Sequence, residues 1–342
     1  MLVNEPRWDP RTDSCRGHQL NPRWDPRLDT AQLTPPIPRE VRAFLDREAP
    51  SKHSGVLAVG QPGKVGVLEL TLGVGQSGRT GLRERFAKAP MSLTRPLYVD
   101  PCDKNHAVLY LRTTGGGLAE NDRIRQKFVL EEGARATVST QAATNVHRMN
   151  AGVATQWVSF SLGPNACLEY FPGHTTLYGG SRLVQLTECD VPSTASVIAG
   201  EMTLLGRVAR GEVHEFDAFS LGLRVTRDGR PLLADTVVTV GAGNGRNLMV
   251  WGDYPVWGTI LAVTPSAFST PPAQLMDMCR SAVAEIRRED IVAGVSTLVG
   301  GAGVMVRIAG YSSVGVREVM GALHDVLRQK ILGKSSFDLR RM

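Results

Sequence analysis

The sequence predicts a mainly β protein that carries two α-helices near its C-terminus. Glycine is frequent, at 36 residues, and valine occurs in short runs, which favours strands joined by tight turns. Short apolar segments are separated by turn-forming residues along most of the chain. Helical periodicity, in contrast, occurs in two segments, both in the last quarter of the sequence.

The length and composition are those of an ordinary globular protein. A chain of 342 residues with 42% hydrophobic and 21% charged residues can bury a substantial core in one large domain or two smaller ones. The net charge of +6 is modest and the arginines are interleaved with acids, so no nucleic-acid partner is expected. The five cysteines are scattered without a C-x-x-C pair, which is typical of free thiols in a reducing compartment.

The sequence shows neither of the patterns that direct a chain to a membrane. The first residues are charged where a signal peptide needs an apolar stretch. No run approaches the roughly 18 consecutive apolar residues of a membrane helix. We therefore expect a cytoplasmic protein without a membrane partner.

Residues 1–50 differ in character from the rest of the chain. The segment PRWDPRTD at 6–13 recurs as PRWDPRLD at 22–29. Two copies are too few for a solenoid, and the prolines and balanced charges predict a disordered N-terminal arm. The tryptophan in each copy could instead contact a partner.

The predicted β-body forms one domain over residues 54–334, and a basic tail follows at 335–342. Thirteen short segments in the body combine apolar residues of high β-propensity with turn signals at their ends. They span residues 64–72, 107–111, 124–130, 136–140, 156–162, 167–171, 182–187, 195–201, 221–226, 231–240, 256–263, 295–299 and 304–308.

Alternation of side chains is clearest in the third of these segments. Ile124, Phe128 and Leu130 lie on one face of the predicted strand, and the basic residues between them lie on the other. The dipeptide Asp228-Gly229 predicts a hairpin between two of the later strands.

Two segments repeat apolar residues with helical spacing, and each has a polar back that suits a helix lying on a β-body. Gly333 follows the second segment as its expected C-cap. The apolar positions are Leu275, Met278, Cys279, Ala282, Val283 and Ile286 in the first segment and Val316, Val319, Met320, Leu323, Val326, Leu327 and Ile331 in the second. The spacing of the strands does not distinguish a β-sandwich from a β-helix.

Five sequence blocks between residues 113 and 235 together carry a family resemblance. They read TTGGGLAENDR at 113–123, TQAATNVHR at 140–148, LEYFP at 168–172, LLGR with RGE at 204–212, and DGRPLLAD at 228–235. Each block alone is a weak signal, but their order and spacing over about 120 residues are specific. The chain resembles the urease accessory protein D family, also called H, from about Gly55 to Lys334.

The resemblance implies a fold and a function that the residues alone do not give. It implies a β-helix-like arrangement of stacked sheets with two C-terminal α-helices. It implies a scaffold rather than an enzyme, which binds apo-urease, recruits the F and G accessory proteins, and provides a polar passage for nickel to the urease site. Nickel is then cargo in transit, and neither a cofactor nor a tight metal site is expected.

The resemblance also supplies candidate residues for the passage, namely Asp122, Thr144, Glu201, Glu212 and Asp235. Glu201 and Asp235 are single acids among hydrophobic neighbours. On a strand such an acid more often faces water, but the family match favours the interior for both. Isolated carboxylates and hydroxyls would give nickel weak sequential sites, whereas clustered Cys or His would hold it tightly.

Two places depart from the family pattern. Glu120-Asn121 stands where the family has a second glycine pair, and the last four residues, LRRM, replace a Pro-Arg-x-Trp tail. The basic tail is expected to contact a partner through Lys334, Arg340 and Arg341.

The remaining signals are weaker. His147, His174 and His214 lie in the matched region, but the family pattern does not call for histidine there, so surface or core roles are expected. The glycines at 115–117 lack the G-x-G-x-x-G spacing and predict a tight turn. Two other functions stay open. One is a β-helical carbohydrate-active enzyme, although a secretion signal and a regular coil repeat are missing. The other is an adaptor of the same fold without a urease partner.

Overall fold

The computed structural model describes residues 30–47 and 63–339. This part of the chain contains seventeen β-strands and four α-helices. The strands are β1 (Val65–Val74), β2 (Thr80–Lys88), β3 (Met91–Leu93), β4 (Ala107–Thr113), β5 (Arg123–Leu130), β6 (Arg135–Thr140), β7 (Thr144–Val146), β8 (Ala154–Leu162), β9 (Cys167–Phe171), β10 (Thr175–Leu177), β11 (Arg182–Asp190), β12 (Ser196–Leu204), β13 (Ala218–Arg227), β14 (Arg230–Val240), β15 (Val256–Val263), β16 (Ile291–Thr297) and β17 (Gly303–Gly310). The helices are α1 (Thr30–Leu33), α2 (Arg39–Leu45), α3 (Pro272–Glu285) and α4 (Ser313–Leu332).

The strands form two sheets. The smaller sheet has the order β14-β13-β11-β8-β5-β1-β2, and the larger one the order β16-β17-β15-β12-β9-β6-β4-β3, with the short strands β7 and β10 attached through β12. In the smaller sheet, β1, β5, β8, β11 and β13 are parallel. In the larger sheet, β4, β6, β9 and β12 are parallel. Antiparallel strands complete both sheets at their edges.

The chain passes from one sheet to the other and back in successive coils. β5 of the smaller sheet is followed by β6 of the larger one, β8 by β9, and β11 by β12. Equivalent positions of consecutive coils therefore stack, as in the row Ile124, Gln156, Gln185 and Leu221. The predicted fold class is confirmed: stacked sheets in a β-helix-like arrangement carry two C-terminal helices.

The main hydrophobic core fills the space between the two sheets. It includes Phe128 and Phe160 from the smaller sheet and Val138 and Tyr170 from the larger one. Phe128 and Phe160 occupy equivalent positions of consecutive coils, and their rings stack with centroids 4.8 Å apart. Because parallel strands keep equivalent side chains side by side, like residues can pack in rows across the coils.

The two C-terminal helices cover the outer face of the larger sheet. Leu275 of α3 and Leu323 of α4 belong to a second buried apolar cluster with residues of that sheet. Ser312 begins α4 by accepting a hydrogen bond from the N–H of Gly315 at 3.3 Å. Gly333 ends the helix with φ of 66°, so the predicted C-cap is confirmed. None of the helices in the described part of the chain has the length and apolar content needed to cross a membrane.

A cluster of buried charges fastens α4 to the larger sheet. The Nε of Arg328 lies 3.0 Å from a Glu169 oxygen, and the same guanidinium pairs with Asp100. The Nε2 of His324 lies 2.7 Å from the second Glu169 oxygen, and His106 approaches within 3.7 Å. Burial alone would raise the pKa of Glu169, but the hydrogen bond to His324 and the surrounding positive charge lower that pKa to about 2.

The predicted elements correspond closely to those observed. All thirteen predicted segments match strands. The strand that matches segment 295–299 is β16, which runs from Ile291 to Thr297, because residues 299–301 form a 3-10 turn. The two predicted helices match α3 and α4. The sequence missed β2, β3, β7 and β10. β2 lies at a sheet edge, where residues 83–85 are charged, and the other three strands have three residues each.

Residues 30–47 correct the expectation of a disordered arm over residues 1–50. They contain α1 and α2, and Val41 of α2 is fully buried in an apolar cluster with Val184 of β11. Prolines precede α2, and only one of its seven residues is buried, so no helical stripe is visible in the sequence. The duplicated tryptophan-containing segment lies outside the described residues.

We expect Val41→Asp to destabilise the protein, because it buries an unpaired carboxylate where α2 packs on the smaller sheet. Ala43→Asp is the matched control, since Ala43 is exposed on the same helix. Thermal unfolding followed by circular dichroism should show a midpoint several degrees lower for Val41→Asp and little change for Ala43→Asp. Equal midpoints would show that α2 adds nothing to the stability of the body.

The buried charge cluster predicts an acid-sensitive stability. The folded-state pKa of Glu169, about 2, lies below its ordinary value of 4.5. Its ionised form therefore stabilises the fold above about pH 4.5, and this stabilisation is lost as the pH falls towards 2. Glu169→Gln should flatten the dependence of the unfolding midpoint on pH in this range. It should also lower the midpoint at pH 7, because Arg328 loses a buried partner.

Glu289→Gln is the control for this measurement, because Glu289 is exposed. It should leave both the midpoint at pH 7 and its acid dependence unchanged. The same acid dependence in the wild type and in Glu169→Gln would contradict the assignment to Glu169.

Candidate functional site

A cavity of about 250 Å³ lies between the two sheets and opens to the surface beside two loops. Exposed Gly116 and Ala142 mark these loops at the mouth. The inner end is polar, although the surrounding core is apolar. Its polar lining comes from Gln126, Gln156 and Gln185 of the smaller sheet and Tyr170 and Glu201 of the larger one.

Strand register explains why these side chains meet. Gln156 of β8 and Gln185 of β11 are direct neighbours at equivalent positions of consecutive coils, so their backbones lie about 4.8 Å apart. Alternation along β11 places Leu183, Gln185 and Thr187 on one face of the strand. Leu183 belongs to the core between the sheets, so Gln185 and Thr187 also point inward.

Glu201 of β12 reaches towards these residues from the opposite sheet. Its carboxylate accepts a hydrogen bond from Thr187 Oγ1 at 2.7 Å and one from Gln185 Nε2 at 3.2 Å. Burial raises the pKa of Glu201, and the two hydrogen bonds oppose this shift without cancelling it. Burial, with the charge on Glu201 adding to it, also raises the pKa of Tyr170 well above its ordinary value.

Two amide oxygens in the cavity have no hydrogen-bond donor among the described residues. They are the Oε1 atoms of Gln126 and Gln185, whose side chains are both 5% exposed. The amide orientation of Gln185 follows from its donation to Glu201. A buried acceptor without a donor costs about 1–3 kcal/mol. Both oxygens are therefore available to a donor or a cation, and the cavity suits a small polar or positively charged species.

The cavity brings together two of the five predicted passage residues, Thr144 and Glu201. Asp122 is fully buried elsewhere and accepts hydrogen bonds from the backbone N–H of Lys64 at 2.8 Å and of Ala119 at 2.7 Å. It also pairs with the Nζ of Lys64 at 2.7 Å. Asp122 therefore anchors the turn that leads into β5.

The other two predicted acids are also paired outside the cavity. Glu212 accepts a hydrogen bond from the N–H of Gly179 at 2.5 Å and pairs with Arg207 at a separate polar hollow. Asp235 of β14 pairs with Arg307 of β17, so this pair links the edge strand of the smaller sheet to the larger sheet.

The departure from the family pattern at Glu120-Asn121 has a structural role. Glu120 accepts hydrogen bonds from the backbone N–H groups of Asn150 at 3.2 Å and of Ala151 at 3.0 Å. Asn121 adopts a left-handed conformation with φ of 61°, which glycine favours and asparagine tolerates. These two residues therefore shape the turn that a glycine pair could otherwise form.

The residues assigned to partner contact fall in two parts of the chain. Lys334 lies in the described part, where its Nζ is 2.5 Å from Asp103 and its side chain is 19% exposed. Lys334 thus already holds an ion pair within the chain. Arg340 and Arg341 lie outside the described residues, so their predicted partner contact stays a prediction.

The three histidines have separate surroundings. His214 is fully buried with its Nε2 3.1 Å from the carbonyl oxygen of Tyr254, and burial lowers its pKa. The Nε2 of His147 lies 3.0 Å from the carbonyl oxygen of Gly116, beside the cavity mouth. His174 lines a groove under α4. Across residues 30–47 and 63–339, no three His, Cys, Asp or Glu side chains are placed to hold a metal ion together.

Sequence reasoning missed the inward glutamines and Thr187. A signal for Gln126 was present, because position 126 falls between Ile124 and Phe128, which face the core. A polar residue at such a position breaks the apolar pattern and needs a local reason. One polar residue in an apolar pattern does not identify a site. The register of the parallel strands is needed to show that the three glutamines converge.

Comparison with known proteins shows the family of this chain. The model of the UreD urease accessory protein family matches residues 64–341. Urease accessory protein UreD 2 of Streptomyces griseus subsp. griseus is 32% identical over 289 residues, which cover 83% of this chain and 96% of that protein. Urease accessory protein UreD of Natronomonas pharaonis is 33% identical over 273 residues, covering 80% and 89%. Urease accessory protein UreD 3 of Methylorubrum populi is 31% identical over 300 residues, covering 86% and 93%. The chain therefore belongs to the UreD family of urease accessory proteins.

Proposed function

We propose that this protein is a urease maturation factor that binds apo-urease, recruits the F and G accessory proteins, and lets nickel pass through its interior to the urease site. Family membership supports the maturation role. The observation that carries the passage is the polar cavity between the sheets, where Gln185 and Thr187 hold the carboxylate of Glu201 inside a largely apolar core. Thr144 near the mouth and Glu201 at the inner end are the proposed lining residues.

The chemistry of the cavity suits a transported dication. Its polar lining is dominated by hydroxyl, amide and carboxylate oxygens, and its described lining residues include neither Cys nor His. Nickel lies high in the affinity order of divalent metals, so thiolate and imidazole ligands would hold it tightly. A cavity with a single carboxylate attracts the ion and still releases it, which is the condition for passage.

The same geometry speaks against the enzyme alternative. Glycoside hydrolases of the usual kind need two carboxyl groups flanking the bond that breaks. Glu201 is the single acid among the described residues that line the cavity, and Asp122, Glu212 and Asp235 are each paired elsewhere. The cavity therefore favours transport over glycan hydrolysis.

We expect that deleting this protein leaves urease synthesised but largely free of nickel and inactive. The physical reason is that the buried urease site would lose its route for the metal. Metal analysis of urease purified from the deletion strain measures this directly, and restoring the protein from a plasmid is the control. Full nickel occupancy without the protein would overturn the proposed function.

We expect Glu201→Gln to slow activation of apo-urease about ten- to a hundredfold when nickel is limiting. The substitution keeps the shape of the side chain and removes its charge, and a charge-assisted contact contributes about 1.5–3 kcal/mol. Folding and binding to apo-urease should not change, because loss of a buried charge relieves desolvation.

Asp235→Asn is the matched comparison for Glu201→Gln, because Asp235 is neutralised by Arg307 outside the cavity. Its activation rate should stay within about twofold of the wild-type rate. Wild-type rates for Glu201→Gln at limiting nickel would show that no passage uses this carboxylate. Loss of apo-urease binding would show instead that Glu201 is structural.

A further inference from the structure

We propose that Gln126, Gln156 and Gln185 form, together with Glu201, an oxygen-donor site for a divalent cation that keeps part of its water shell, and that this site turns anions away. The identity of the cargo as nickel rests on the proposed function. The site itself rests on the placement of the four side chains, which we call the glutamine gallery.

The coils bring the glutamines together. Gln156 and Gln185 are neighbours on β8 and β11. Gln126 lies on β5, two residues beyond Ile124, which is the direct neighbour of Gln156. Gln126 is thus diagonal to Gln156 on the same face, a distance that long side chains can bridge. All three line the cavity from the sheet opposite Glu201.

The amide oxygens point to a cation rather than a structural role. Gln185 donates its nitrogen to Glu201, which leaves its Oε1 without a donor in the described part of the protein. The Oε1 of Gln126 also has no hydrogen-bond donor among the described residues. Leaving two buried acceptors unpaired is unfavourable for an empty core. Either a cation or the water molecules that it carries would satisfy both oxygens.

The composition of the gallery limits how tightly it binds. Amide and carboxylate oxygens are hard donors of the kind that hydrated dications accept. One formal charge among three neutral amides gives weaker binding than a cluster of carboxylates or thiolates would. The space of about 250 Å³ has room for an ion with several waters. An ion can therefore enter without losing its whole hydration shell and leave again.

The charges that line the cavity disfavour anions. Arg112, which is exposed at the mouth, is the single basic side chain among the described residues that line the cavity. At the inner end, an anion such as bicarbonate would face the carboxylate of Glu201 and the unpaired oxygens of Gln126 and Gln185. Electrostatic repulsion from the carboxylate of Glu201, which is held by neutral groups, gives the gallery its selectivity for positive charge.

The test is isothermal titration calorimetry of the purified full chain with Ni²⁺ alone and with Mn²⁺ alone. Gln185→Met and Gln126→Met preserve side-chain length and remove the amide, and each should weaken metal binding about tenfold or more. Gln329→Met is the matched control, because Gln329 is exposed on α4, and it should bind as the wild type does. Unchanged metal binding in both cavity variants would overturn the gallery.

Folding of the variants is checked by thermal unfolding. Gln126→Met removes a buried unpaired acceptor, so its midpoint should equal or exceed that of the wild type. Gln185→Met also removes a donor to Glu201. If that variant fails to fold, Gln126→Met alone still tests the gallery. Titration with bicarbonate should give no binding, and bicarbonate binding that disappears in Gln126→Met would overturn the selectivity for cations.

Gln185→Glu distinguishes a transfer site from a storage site. A second carboxylate beside Glu201 should tighten Ni²⁺ binding about tenfold or more while slowing urease activation, because the ion leaves more slowly. Faster activation would contradict a transfer role. If the methionine variants lose metal binding but urease fills with nickel in the deletion strain, the gallery stands and the proposed function fails. If nickel delivery needs the chain but the variants bind metal normally, the gallery fails and the proposed function stands.

Discussion

In-register stacking of the parallel coils is the constraint on which the rest of this structure depends. Each inward position of one coil lies beside the equivalent position of the next, so side chains sort into rows. Phe128 and Phe160 form an apolar row in which the rings stack. In the row that lies four residues earlier along the strands, Gln156 and Gln185 form a polar pair. A cavity and a packed core can therefore coexist between the same two sheets.

The two deeply placed glutamates, Glu169 and Glu201, have pKa values shifted in opposite directions. Glu169 is surrounded by Arg328, His324 and His106, and its pKa falls to about 2. Its charge is therefore compensated by partners within the chain. Glu201 accepts two hydrogen bonds from neutral groups, and burial raises its pKa. The first arrangement fastens a helix, whereas the second leaves Glu201 without a cationic partner among the described residues.

Much of the fold could be predicted from the sequence, because strands and long amphipathic helices leave local patterns. All thirteen predicted strand segments and both C-terminal helices have counterparts in the structure. Short elements such as α2 could not be predicted, since a single buried residue, Val41, gives no periodicity. The candidate site depends less on local pattern. The family resemblance supplied Glu201, which lines the cavity, and it also supplied Asp122 and Asp235, which are paired outside the cavity. Pairing across 58 or 72 positions depends on register, which no local pattern records.

The same register bears on the proposed passage of nickel. Along the larger sheet, Glu201 of β12 is the direct neighbour of Thr259 of β15, which in turn neighbours Arg307 of β17. This polar row ends at a guanidinium that pairs with Asp235 of the other sheet. Because Arg307 and Asp235 neutralise each other, this end of the row offers a dication no free carboxylate. The pair of Arg307 and Asp235 therefore bridges the two sheets at this edge. If nickel passes through the cavity, as we propose, this bridge favours a route along the stack of coils over one across the sheet.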